Sequence, residues 1–284
     1  MSEPKRISRD QKIATFSRTN LPVLEVEPGE DVIFETPNGS LIATGPILVK
    51  GAEPGDALAV HVGEMRFEKQ AEMRLRPGKG VFGDYLAEKY ETVQRPHFPI
   101  VDDRVIFNDQ ISIPPQYMVG LVGTTPSNQE IAVSWPGRHG GNLDNKLIAP
   151  GATLYLPVYL PGALVAAGDL HFAMGDGEIM LTAMEVTGEV TLRFDLIEGR
   201  QLKWPMVETD RLVCTMGVAR TLDQAMMIAL EEMKELLQLR VGLTLEDAGM
   251  LMSAMCDLAI CEVVSPLVVV RATMDRTVVK ALHV

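Results

Sequence analysis

Residues 154–178 read LYLPVYLPGALVAAGDLHFAMGDGE. Leu154 to Ala167 is rich in Val, Leu and Tyr and is broken by Pro161-Gly162, which suits a hairpin with Ala163 to Met174 as its second strand. Residues two apart on a strand point to the same face, so Asp169 and His171 stand side by side. Gly168, Gly175 and Gly177 flank them, and a glycine in or beside a strand marks a bulge or a close approach of backbone or ligand. If the strand resumes after the turn, Asp176 and Glu178 share a face too. Just upstream, PGRHGGNLD from residue 136 adds His139, Asn142 and Asp144. An imidazole among several carboxylates is the equipment of a mixed nitrogen and oxygen metal site. The plainer alternative is a turn at Asp-Gly and a hydrogen-bonded D-x-H pair. One turn does not need so many ionisable groups, and the cluster as a whole favours the metal cradle.

Outward from this stretch the text is β. VLEVEPGEDVIFET (23–36), ILVKGAEPGDALAVHV (47–62) and LIAPGATLYLPV (147–158) each place Pro-Gly between alternating apolar runs, a turn signal between two strands. EVTGEVTLRFDLIEGR (185–200) reads as two more strands around Thr187-Gly188. Residues 63–118 are interrupted by Pro96, Pro99, Pro114 and Pro115 and read as an insertion or lid, with a short helix at DYLAEKYE (84–91).

Helical periodicity begins late. Thr221 and Gln224 form a capping box, and Leu222, Met226, Leu230, Met233 and Leu237 mark one face up to a stop at Gly242. Thr244 caps a second helix through about Leu258, and Leu267 to Arg271 is a short buried strand. The fold expected is α+β, mainly β. A β-sandwich or barrel-like body with strand–Pro-Gly–strand repeats spans 1–215. An α+β module spans 216–284 and packs on it as one compact unit.

Composition sets limits. With 46% hydrophobic and 23% charged residues the chain is globular in profile. A formal net charge of -12 argues against nucleic-acid binding. No apolar run spans a bilayer, and MSEPKRISRDQK has no apolar leader, so a cytoplasmic protein without membrane partners is expected. Cys214, Cys256 and Cys261 form no C-x-x-C pair, so no disulfide framework is expected. No Gly-x-Ser-x-Gly elbow occurs, which leaves carboxylates and histidines to do any hydrolytic chemistry.

HGGN at 139–142 with Asp144, LYLPV at 154–158 and GDLHFAMGDGE at 168–178 resemble the acetamidase/formamidase family. The likeness extends to TGPILVKGAEPGDALAV at 44–60 and DLAICEVVSP at 257–266. The resemblance implies an amidohydrolase that releases ammonia from short linear amides, and a homodimer or higher homo-oligomer. It also makes Thr124 and Thr125, in the turn after VGLVG, substrate contacts. On that basis His171, Asp169 and Asp176 hold a divalent metal, zinc by the histidine or calcium by the many oxygens. Glu178 is the general acid–base. Asn142 and the backbone N–H groups of Gly140 and Gly141 support the oxyanion, and Asp144 orients a ligand. The competing class is a non-catalytic, metal-stabilised β protein used for assembly or small-ligand binding.

Overall fold

The computed structural model describes residues 4–39, 41–264 and 266–278. It is mostly β, as the sequence leads one to expect, and its described residues form three helices and an 18-stranded hydrogen-bonded sheet system. No closed barrel forms among the described residues.

The strand Val165–Ala173 lies at the centre and is buried along its whole length. It pairs antiparallel with Met118–Gly123, Ala43–Val49 and Met184–Ile197. A strand covered on both faces must be apolar nearly throughout, and Asp169 and His171 are its only ionisable residues. The two longest strands, Ala57–Glu72 and Met184–Ile197, pair from Ile197↔Ala57 to Glu185↔Glu72. Their inward residues join a core that includes Phe34, Val60, Leu154, Phe172 and Phe194. Phe34 and Phe194 meet edge to face at 6.1 Å, and truncating such a buried ring to alanine costs about 3–5 kcal/mol.

The Pro-Gly turns form, but not as hairpins. Each is closed by the hydrogen bond of a four-residue turn: Glu30 N–H to Glu27 O, Asp56 to Glu53, Ala152 to Ala149 and Ala163 to Leu160. Gly29, Gly55, Gly151 and Gly162 all take positive φ, which type II geometry requires after proline. The flanking strands pair elsewhere. Leu24–Val26 runs parallel to Ala43–Val49, and Thr153–Pro157 pairs with Ala57–Glu72 and Met206–Glu208. Pro161-Gly162 is therefore a crossover, because the strand it leads into is claimed by other neighbours. Thr187-Gly188 makes no turn at all. One strand, Met184–Ile197, runs through it, and Gly188 lets the backbone of Arg66 approach to where a Cβ would sit 2.3 Å from its carbonyl oxygen.

Helix α1 (Gly83–Lys89) is short and lies within the stretch read as a lid. Helix α2 (Leu222–Val241) is capped by Thr221, whose hydroxyl accepts from the Gln224 N–H, and ends at Gly242 with φ 76°. Its buried face is Ala225, Ala229, Met233, Leu236 and Leu237, while Leu222 is exposed. The shift toward alanine has a cause. The helix rides on the strand Leu212–Ala219 so closely that a Cβ on Gly217 would lie 2.0 Å from the Ala225 carbonyl, and only small residues fit there.

Helix α3 (Leu245–Met255) is capped by Thr244, as expected, but stops before Leu258. Asp257–Glu262 is a strand instead, because it pairs with Val268–Asp275, which in turn pairs with Leu212–Ala219. Tertiary pairing overrides the helical pattern there. Among the described residues no helix is long and apolar enough to cross a membrane. The three cysteines are free.

Candidate active site

His171 is fully buried. Strand pairing sets Met118 beside it on one side and Glu185 on the other. Its Nε2 lies 3.4 Å from Asp169 Oδ1 and 3.6 Å from Glu185 Oε2, and its Nδ1 lies 3.8 Å from Asp144 Oδ1. None of these atoms has a hydrogen-bond partner. The spacing is too wide for good hydrogen bonds. On the Nε2 side it matches donor atoms arranged around a common cation, since ligands about 2.1 Å from a tetrahedral ion stand about 3.4 Å apart.

Glu178 and Glu262 complete the group. Ligand atoms of His171, Glu178 and Glu185 lie within 4.8 Å of one another, as do those of Asp144, Glu178 and Glu262. Glu262 reaches the cluster because the backbone of Gly177 bridges to the end of Asp257–Glu262, with Gly177 N–H donating to Cys261 O at 2.9 Å and Val263 N–H to Gly177 O at 3.1 Å.

The backbone is bent to make this convergence. Asp144, Asp169 and Glu178 have φ of 43°, 55° and 41°, a left-handed conformation that costs about 1–2 kcal/mol for an L-residue. Three such residues meeting at one buried point are typical of a functional site. Gly120 makes the room: a Cβ there would lie 2.5 Å from Asp144 Oδ1 and 2.9 Å from Asp169 Oδ2.

The electrostatics are those of a cavity with too much negative charge. Burial would lower the His171 pKa, but Asp169, Glu185 and Asp144 outweigh it and push it up to about 10. Burial would raise Asp169, but His171 beside it, then Glu185 and Arg74, hold its carboxyl low. Burial and then Glu178 push Asp144 well up, and burial and then Glu185 do the same to Glu178. Glu185 is pushed up to about 7, by burial first and then Asp169. Five buried carboxylates and one imidazole have the chemistry to hold a cation with mixed oxygen and nitrogen donors.

Other residues singled out in the sequence lie differently. Asp176 points away from the cluster: its carboxylate accepts from both Nη atoms of Arg271 at 2.7 and 2.8 Å and pairs with Lys146 at 2.8 Å. Asn142 donates from Nδ2 to Asp144 Oδ2 at 2.5 Å, which positions that carboxylate, and leaves its own Oδ1 without a partner.

Gly140 and Gly141 are required by packing, since a Cβ on either would lie 2.3 Å from the carbonyl oxygen of Val122 or Trp135. The Gly140 N–H donates to Gly137 O at 3.1 Å. The hydroxyls of Thr124 and Thr125 donate to Pro157 O and Leu164 O at 2.8 and 2.9 Å. His139 is buried edge-on against Phe16 at 5.0 Å, and burial lowers its pKa to about 4. It lines a cavity of about 670 Å³ with Trp135 and Tyr159 that contains none of the cluster.

The sequence pattern of the acetamidase/formamidase family matches residues 129–274, more than half of the chain. The chain belongs to the acetamidase/formamidase family. The crystal structure of an acetamidase from Bacillus halodurans is 36% identical, with a TM-score of 0.92 over 98% of this chain and 100% of that one. That of a predicted acetamidase/formamidase from Thermoanaerobacter tengcongensis is 34% identical, with a TM-score of 0.93 over 98% and 97%. An acetamidase from Mycolicibacterium smegmatis is 28% identical over 216 residues, which is 55% of this chain and 53% of that protein. The chain spans about half the length of the curated relatives it matches.

Two cluster members, Glu185 and Glu262, carry no signal of their own in the sequence. Glu185 opens a strand, and only its register with His171 brings it in. Glu262 lies inside DLAICEVVSP, a string that shares the family likeness, and this is the one sequence cue that could have found it.

Proposed function

We propose that this protein hydrolyses the carbon–nitrogen bond of short linear amides, releasing ammonia and a carboxylate, at a site that holds a divalent cation. The carrying observation is the pair of buried carboxylate oxygens 3.4 and 3.6 Å from His171 Nε2, all three atoms without hydrogen bonds. Relatives named acetamidase and formamidase support the reaction class.

His171 Nε2, Asp169 and Glu185 are the ligand set in this reading. Glu185 takes the place expected for Asp176, whose carboxylate is engaged by Arg271 and Lys146. Zinc is favoured by the imidazole, with calcium second because oxygens dominate. Bound there, the cation supplies Lewis acidity toward the amide carbonyl and toward water. Asp144, held by Asn142, faces Nδ1 of His171 and fixes which nitrogen carries the proton.

Glu178 moves the proton. Burial, and then Glu185 beside it, raises its pKa well above the usual carboxylate range, and a carboxyl so tuned is suited to hold and pass on a proton. It accepts a proton from the attacking water and delivers it to the amide nitrogen as ammonia leaves. Ammonia release from formamide and acetamide, with and without a chelator, tests the reading. Metal-bound protein without turnover would favour the binding-module alternative instead.

A homo-oligomer is part of the same proposal. Leu239, Met250 and Leu245 on α2 and α3 are 82%, 66% and 57% exposed, apolar surface that a second copy would take out of water. Light scattering at micromolar concentration should give at least a dimer, and a monomer would contradict it.

A further inference from the structure

A cavity of about 400 Å³ opens onto the cluster, with Asn142, Glu178 and Glu185 in its lining. At about 30 Å³ per water it holds on the order of a dozen waters, several times the volume of formamide or acetamide. Apart from Ser134, its remaining lining divides in two. Leu41, Leu181, Val264 and Pro266 give apolar surface, and Arg76 and Lys79 give positive charge.

Arg76 is unlike the buried Arg74 and Arg271. Arg74 pairs with Glu72 at 2.8 Å, and Arg271 pairs with Asp176 at 2.7 Å. Arg76 is half-buried and donates from Nη1 to the carbonyl of Leu181, but among the described residues it makes no ion pair. Burial, and then Arg74, press its pKa below the usual arginine value, with Glu185 and Glu178 opposing. Lys79 also lacks an ion pair among the described residues; it lines the cavity and is exposed. A guanidinium held in place by one backbone carbonyl, with donors left over, is suited to bind a planar carboxylate.

The amide-hydrolase reading above fixes where that carboxylate belongs. Ammonia leaves from the nitrogen side, so a charged substituent must sit on the acyl side. Resting on that reading, we propose that Arg76, with Lys79, selects primary amides whose acyl chain ends in a carboxylate, such as succinamate. The apolar wall would cover the intervening methylenes. Hydrolysis of such a substrate forms the new carbon–oxygen bond from water and breaks the carbon–nitrogen bond. The products are a dicarboxylate and ammonia.

The test compares kcat/KM for succinamate with that for 4-methylpentanamide, its uncharged isostere. The wild-type protein should prefer succinamate by about tenfold or more. Arg76→Met should reduce that ratio by about ten- to a hundredfold, the range for a lost charge-assisted hydrogen bond, and Arg76→Lys should restore part of it. Lys79→Met should reduce it by a few fold, and this exposed position keeps the test open if Arg76→Met does not fold. Equal use of both amides by the wild type, or a ratio unmoved in both Met variants, overturns the proposal.

Succinate binding by calorimetry gives an arm independent of turnover, and Arg76→Met should weaken it about tenfold. If no amide is hydrolysed but succinate binds through Arg76, anion selection stands and the hydrolase reading fails. If amides are hydrolysed and succinate binding ignores Arg76, the reverse holds.

Discussion

Glu185 stands directly across the strand pair from His171, and its Oε2 lies 3.6 Å from Nε2 with no hydrogen bond of its own. Its other oxygen accepts from Thr182 Oγ1 at 3.3 Å, so one oxygen is anchored and the other is aimed at the imidazole. Glu185→Gln keeps the shape and the anchor but removes a charge from the ligand set. Metal affinity should fall by at least about ten- to a hundredfold, measured as metal retained after dialysis, with circular dichroism unchanged. Full metal retention would remove Glu185 from the site.

Gly120 offers a test that touches no ligand. A methyl group there would meet Asp144 Oδ1 and Asp169 Oδ2 at 2.5 and 2.9 Å, closer than carbon and oxygen approach; Asp144 is held by Asn142, and both carboxylates are buried. Gly120→Ala should therefore displace them and lose metal and activity together. Its thermal unfolding should shift far less than its activity, since the surrounding sheet can take a small displacement. An active Gly120→Ala variant would mean that the carboxylates are free to move and that the cradle is not preformed.

Part of this site was legible in the sequence for a physical reason. Asp169 and His171 are two apart on a strand, and side-chain parity alone puts them together. Parity fails from Asp176, five residues later. Gly177 and Glu178 take φ of 100° and 41°, so Asp176 and Glu178 do not share a face. One goes to Arg271 and Lys146, the other into the cluster. Glu185 and Glu262 arrive through register and a backbone bridge between distant segments, which no local pattern encodes. The same limit governs the fold. Each Pro-Gly turn was readable from its residues, but which strands it joins depends on long-range pairing.

The metal-free protein should lose stability as pH rises through neutrality. His171 in the fold is pushed up to about 10 from an unfolded value of about 6.5. A raised pKa means that the folded state binds the extra proton, so this stabilisation is fully present below about pH 6.5 and is lost as pH rises through about 10. Glu185, pushed up to about 7, acts in the same direction at lower pH. A divalent cation competes for the position of the His171 proton, so binding it should release protons and flatten the decline. Chemical denaturation between pH 6 and 10, with and without zinc, measures this. A metal-free protein that grows more stable over that range would contradict the charge balance proposed for the cluster.

The last prediction separates the three roles by pattern. His171→Ala should remove most bound metal and nearly all amide hydrolysis. Glu178→Gln should keep most of the metal, because the amide is nearly isosteric, while turnover falls by about two to four orders of magnitude for want of a proton carrier. Asp176→Asn should leave the metal in place and act on stability instead. It weakens the bonds to Arg271 and Lys146, at a cost of about 1–2 kcal/mol, since charge-assisted bonds are worth about 1.5–3 kcal/mol when dry and this carboxylate is partly exposed. Burial would raise the Asp176 pKa, but Arg271 and then Lys146 hold it low. Its contribution is therefore present above the ordinary aspartate range and is lost as pH falls below it, so Asp176→Asn should flatten the acid limb of the stability curve. Metal analysis, ammonia release and thermal melts on the three variants give the pattern. Metal loss in Asp176→Asn without a change in melting would return Asp176 to the ligand set, and equal metal loss in Glu178→Gln and His171→Ala would make Glu178 a ligand and leave the proton to another group.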